Sequence, residues 1–273
     1  RLVALAGAFG ALAAGAGVAG VLGWSVGGSL LGALLHGVVL WRWRLAPRLR
    51  WDLTAWRGCL AEAYPFALTS FIAMAYTRFD LVLLSLWQGE VVAGWYGAAY
   101  QLWQAVGLLP ASLLDALFPE LSRLAGGQAG RQRLRSLFRA GVVPMLAGGV
   151  ALAAIGAVTA RALIPLVYGS GESYAPAAKV FRLLVWAIPA MFLYLLSGHT
   201  LYALGEQRRV TGAMAVAGLA NVALNVALIP RWSGLGAGVA ALLSEWLLLA
   251  LLYPLARRAL EKGVVSSEQA NER

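Results

Sequence analysis

The sequence predicts an all-α, polytopic membrane protein, and three features carry that prediction. Its 273 residues are 60% hydrophobic and only 12% charged, against roughly 25% charged in a soluble domain, and mean hydropathy is +0.73. The apolar residues collect into eight runs, each near the roughly 20 residues that cross a bilayer core as a helix. The net charge of +10 lies mostly between the runs, gathered in alternate loops and so on one side.

Leu2 to Trp41 has no formally charged side chain and is about twice the length of one span. The stretch Gly23-Trp24-Ser25-Val26-Gly27-Gly28 divides it by a tight turn into spans over 2–22 and 27–44. Leu45 to Leu60 mixes Arg, Trp and Leu around Pro47, which suits an interfacial helix on anionic lipid. Spans follow over 64–87 and 93–118, separated by the polar Gln88-Gly89-Glu90, then over 141–168, 177–204, 210–229 and 234–255. From Glu261 the chain is polar, and a disordered tail is expected.

The loops test this division. One side carries Arg1; Arg42, Arg44, Arg48, Arg50 and Arg57; Arg123, Arg131, Arg133, Arg135 and Arg139; Arg208 and Arg209; and Arg257, Arg258, Lys262 and Arg273. These are 17 of the 22 Lys and Arg, whereas the opposite loops hold only Arg231. By the positive-inside rule the basic side is cytoplasmic, and both ends of this chain lie there. Trp24, Trp87, Trp95 and Trp232 fall at the outer interface and Trp41, Trp43, Trp51 and Trp56 at the inner one, as an aromatic belt requires.

Other classes are excluded. A pI near 10.4 does not indicate nucleic-acid binding when the basic residues punctuate apolar runs instead of forming a soluble face. Cys59 alone makes no disulfide framework. His36 and His199 stand alone, no His, Cys or carboxylate cluster has metal spacing, and no Gly-rich phosphate loop follows a strand, so no enzyme, metal or cofactor is expected. The Gly-rich stretches, such as Gly148 to Gly156, suit close helix packing. Pro65, Pro110, Pro144, Pro165 and Pro189 are candidate kinks.

Shifted by 208 residues, the twelve residues from Trp24 to Leu35 match those from Trp232 to Leu243 at six positions. The match suggests two lobes of six spans each: the last two helices of a first lobe (1–44), an interfacial linker (45–62), a complete second lobe (63–256) and a polar cytoplasmic tail (257–273). About four further spans are then expected upstream of Arg1. In such repeats the substrate site lies near the midplane between lobes.

Several phrases in order carry a resemblance. They are Tyr76-Thr77-Arg78-Phe79-Asp80-Leu81-Val82-Leu83-Leu84-Ser85, Gly94-Trp95-Tyr96-Gly97-Ala98-Ala99-Tyr100, Leu117-Phe118-Pro119-Glu120-Leu121-Ser122, Tyr168-Gly169 with Tyr174-Ala175-Pro176-Ala177-Ala178, Asn221-Val222-Ala223-Leu224-Asn225-Val226-Ala227-Leu228-Ile229-Pro230, and Gly234-Leu235-Gly236-Ala237-Gly238-Val239-Ala240. Together they resemble the polysaccharide-export branch of the multidrug/oligosaccharidyl-lipid/polysaccharide flippase superfamily, which includes O-antigen flippases. The resemblance implies two six-helix lobes facing a central cavity and transport of a polyprenyl-diphosphate-linked oligosaccharide across the bacterial inner membrane. Membrane lipid, the lipid-linked glycan and polysaccharide polymerase or assembly proteins are the partners it implies.

Ionisable residues at bilayer depth are the candidate site, because each is costly unless it faces a partner or a wet cavity. Arg78 and Asp80 lie deep in their span and about 200° apart around the helix. Arg78 either faces a cationic cavity and holds the diphosphate in a bidentate fork, or makes a structural ion pair; Asp80 is a substrate-side or structural group. Glu245 carries a proton in a coupled cycle or bonds to Ser244 or an adjacent helix. Asn221 and Asn225 share a helix face and serve gating or interhelical bonding. Arg182 lies near the outer end of its span, at a cavity mouth or snorkelling, and Asp115 near the cytoplasmic end is a gate contact or pairs with an Arg. A multidrug or small-cation exporter of the same superfamily is the alternative, and acidic groups at the cavity would favour it. A membrane-embedded glycosyltransferase would need a larger extramembrane loop.

Overall fold

The computed structural model describes residues 17–43, 56–60, 78–169 and 174–271, together with Gly7, Gly10 and Gly15. Most of the span expected over 2–22, most of the linker and the first part of the span 64–87 lie outside the described residues. All regular structure among the described residues is helical, and five helices are long and apolar enough to cross a membrane. The chain divides into two compact units, Arg1–Ala67 and Leu68–Arg273.

In the first unit, α1 (Gly17–Arg42) is apolar all round. From Leu22 to Trp43 its side chains are exposed or half-buried. Ser29 Oγ donates to the Ser25 carbonyl at 2.8 Å, and the His36 ring bonds the Gly32 carbonyl at 2.7 Å. The turn expected over Gly23 to Gly28 is absent, because the helix runs straight through it. A backbone without water must keep its own hydrogen bonds, so adjacent glycines in an apolar segment stay helical. The positive φ lies instead at Gly15 (73°).

The second unit contains α2 (Phe79–Gln88), α3 (Glu90–Ala125), α4 (Gln128–Tyr168), α5 (Ala175–Leu184), a 3-10 turn (Val185–Ala187), α6 (Ile188–Ala203) and α7 (Gln207–Asn271). Gly89 (φ 88°) turns α2 into α3 and Gly169 (φ 95°) ends α4. Gly205 (φ 77°) closes α6: its N–H donates to the Tyr202 carbonyl at 3.0 Å and that of Glu206 to Leu201 at 2.9 Å, a Schellman motif. α7 is broken at Ser233 (φ 55°, ψ −135°) into α7a (207–232) and α7b (234–271). Ser25, the counterpart of Ser233 in the 208-residue repeat, is inside α1, so the two stretches differ in conformation. α7b continues through Asn271, where a disordered tail was expected.

α6 is central and packs on α3, α4 and α7. Over Ala175–Ala203 the most apolar stretch is 72% buried, so this segment is the lobe's core helix rather than a lipid-facing one. The 3-10 turn precedes Pro189, in the first turn of α6. Small residues set the close approach of α4: a Cβ on Gly149 would stand 2.8 Å from Pro189 Cα, and one on Gly156 2.8 Å from Val185 Cγ1. Apolar packing forms two clusters. One, around Leu84, Tyr96, Ile164, Phe181 and Ile229, lies towards the Gly89 and Ser233 turns; the other, around Leu114, Leu134, Leu201, Val210 and Leu252, lies towards the Gly126 and Gly205 turns.

Candidate functional site

Between the clusters, α3, α6, α7a and α7b leave a cavity of about 780 Å³ reached also by Asp80 at the start of α2. Its wall is mostly apolar, with Asp80, Gln101, Gln104, Tyr194, Asn221 and Glu245 as its main polar groups. Each comes from an apolar helix in which one polar position per turn or two faces inward, the arrangement that lets a lipid-embedded bundle enclose a polar space.

Asp80 is buried, 6% exposed, and both carboxylate oxygens are engaged. Oδ1 accepts the Leu81 N–H at 2.8 Å and Oδ2 accepts the hydroxyl of the fully buried Tyr96. Tyr96 stacks on Tyr100 at 5.6 Å, and Tyr100 meets Trp103 at 5.1 Å, carrying the contact into the cavity wall. On the far side Tyr194 of α6 and Glu245 of α7b line the same wall. Asn221 Nδ2 donates to Ser244 Oγ at 3.1 Å, and Asn225 Nδ2 donates to Asn221 Oδ1 at 2.9 Å. Trp103 Nε1, Asn225 Oδ1 and Glu245 Oε2 are buried with no hydrogen-bond partner among the described residues.

Four of the seven candidate residues thus gather: Asp80, Asn221 and Glu245 line the cavity and Asn225 braces Asn221. Glu245 shares the wall with Tyr194 of α6, while Ser244 Oγ donates to its own helix at Ala240, 2.7 Å away. The other three lie elsewhere. Arg78 is exposed in the turn before α2 and Arg182 Nε donates to the Ala157 carbonyl at 3.2 Å. Asp115, expected to pair with an Arg, meets His199 Nε2 at 3.1 Å, and His199 Nδ1 lies 2.8 Å from the Leu195 carbonyl. Among the described residues this lobe's cavity is lined by two carboxylates and by no Lys or Arg, so its own wall is acidic rather than cationic. Tyr96, Gln101, Gln104 and Tyr194 were not singled out from sequence. The i, i+4 pair Tyr96 and Tyr100, and two Gln in an uncharged stretch, were the signals that pointed to them.

Apolar helices of lipid-spanning length around a cavity that carries buried polar groups define an integral membrane protein. The family model described as lipid II flippase MurJ matches residues 5–269, and the chain belongs to that family. The chain is also 39% identical over 67 residues to a putative O-antigen transporter of Shigella dysenteriae, a stretch that makes up 24% of this chain and 17% of that relative. No solved structure matches it.

Proposed function

We propose that this chain is part of a flippase that moves a polyprenyl-diphosphate-linked oligosaccharide across the bacterial inner membrane for surface-polysaccharide synthesis, by alternating access between two six-helix lobes. The family match over residues 5–269 carries this reading, and the cavity, with its polar groups set in a mostly apolar wall, supports it. The O-antigen branch is favoured by the Shigella relative and by the phrases around Tyr76 to Ser85 and Asn221 to Pro230. In this reading eight spans cross the membrane, the second lobe runs from 63 to 256, and the C-terminus is cytoplasmic, as the basic loops favour.

Within the lobe, Gln101, Gln104 and Asn221 suit sugar hydroxyls. Asp80 and Glu245 are poor partners for a diphosphate and suit coupling or gating, Asn225 holds Asn221 in place, and Asp115 with His199 ties α3 to α6. Arg78, exposed ahead of α2, is the guanidinium assigned to the diphosphate. The second reading is a small-cation exporter of the same superfamily, which the carboxylate-bearing, arginine-free wall favours.

Depletion of the intact protein in its own bacterium separates the two. Accumulation of polyprenyl-diphosphate-linked oligosaccharide with loss of surface glycan, restored by wild type but not by Arg78→Ala, is the expected result. Unchanged lipid and glycan pools with new sensitivity to cationic drugs would place the exporter first.

A further inference from the structure

Away from the cavity, Arg135 and Arg139 of α4 converge with Arg257 of α7b around a cleft of about 100 Å³. Phe138, Tyr253 and Leu260 give it an apolar floor, with the Phe138 and Tyr253 rings 5.9 Å apart. Glu261, the acid in this lining, places Oε1 3.6 Å from Arg135 Nη2 and 3.7 Å from Arg257 Nη2. Charge-assisted hydrogen bonds are shorter, about 2.7–2.9 Å, so both pairs are loose. Arg139 is exposed and makes no ion pair among the described residues. Three guanidinia against one carboxylate leave the cleft cationic.

Its depth and its surroundings select the ligand. The cleft sits where the Arg-rich start of α4 gives way to the apolar stretch that follows residue 139, the point at which a spanning helix would pass the lipid headgroups. Val143, Leu146 and Val150 follow Arg139 at i+4, i+7 and i+11, so they lie on one helix face, and all three are exposed. A lipid-accessible stripe therefore runs from the guanidinium into the apolar part of the helix. We propose that the cleft binds the phosphodiester headgroup of an anionic phospholipid, whose acyl chains lie along the Val143 to Val150 stripe. The planar guanidinia grip the phosphate oxygens bidentately, and Glu261, held loosely, gives way to them. At about 100 Å³ the cleft admits a phosphate but no oligosaccharide. The stripe distinguishes a lipid from a free anion, which would leave it uncovered. The inference stands apart from the proposed transport function.

Native mass spectrometry of the full-length protein in non-ionic detergent tests it, with dioleoylphosphatidylglycerol and dioleoylphosphatidylcholine titrated in parallel. Phosphatidylglycerol should bind about tenfold more tightly than phosphatidylcholine. The triple variant Arg135→Gln, Arg139→Gln, Arg257→Gln should lose that preference, and Glu261→Gln should strengthen it. Arg139→Gln alone, which breaks no ion pair, should weaken phosphatidylglycerol binding severalfold with the fold intact. Equal binding of the two lipids, or unchanged preference in Arg139→Gln and the triple variant, would overturn the proposal. Displacement of phosphatidylglycerol by an equal concentration of inorganic phosphate would overturn it too, by showing that the acyl chains contribute nothing.

Discussion

The burial of Asp80 depends on two hydrogen bonds, one from its neighbour's amide and one from Tyr96 sixteen residues on. Tyr96→Phe removes the second and strands a carboxylate oxygen, which costs about 1–3 kcal/mol. Thermal unfolding in detergent should show that loss, and adding Asp80→Leu to Tyr96→Phe should recover much of it, because an apolar pair of similar volume leaves nothing unpaired. Ser233 holds a φ of 55° that an L side chain seldom adopts. Ser233→Gly should therefore raise stability by up to about 1 kcal/mol, and Ser233→Val should lower it by about 1–3 kcal/mol, read by the same assay. Little of this was legible in the sequence. Asn221 and Asn225 could be paired because they are one turn apart, but nothing in helices that are apolar all round says that Asp80 faces Tyr96 or that Glu245 faces Tyr194.

Helices were more legible than their ends. The runs of apolar residues located α3 to α7, yet α3 and α4, of 36 and 41 residues, reach about 54 and 61 Å, well beyond the bilayer core. Residues 119–140, between two expected spans, are helical except around Gly126-Gly127, because hydropathy marks where a helix leaves lipid and not where it stops. The same limit explains the missing turn at Gly23 to Gly28, whereas the observed break at Ser233 falls between the expected spans 210–229 and 234–255. Gly236 contributes to that break, since a Cβ there would fall 2.3 Å from the Leu228 carbonyl oxygen. The packing of α4 on α6 rests on Gly149, where the obstructing atoms are backbone. Gly149→Ala should cost about 1–3 kcal/mol, as overpacking does, whereas Gly212→Ala, which meets nothing within 4 Å, should be neutral or stabilising by up to about 1 kcal/mol. Equal melting temperatures for the two variants would show that the α4–α6 contact is not tight.

For the molecule as a whole, composition and the side-to-side bias of Arg pointed to the membrane and the motif order pointed to the flippase superfamily, while the sign of the lobe's cavity had to be seen. Charge counting along the sequence weighs Arg78 and Arg182 equally with Asp80 and Glu245, but only the carboxylates turn inward. If the acidic wall serves coupling or gating, Glu245→Gln should reduce export about tenfold or more without lowering the melting temperature. An unchanged export rate in that variant would assign Glu245 to packing with Tyr194.

Translocation of a lipid-linked sugar can be followed in reconstituted membranes. The full-length protein, placed in liposomes containing a fluorescent polyprenyl-diphosphate oligosaccharide, should expose the inner-leaflet fluorophore to a membrane-impermeant quencher, leaving protein-free liposomes half protected. Proteoliposomes that stay half protected, while carrying a small organic cation across the same membrane, would show a small-cation exporter instead of a lipid-linked-sugar flippase.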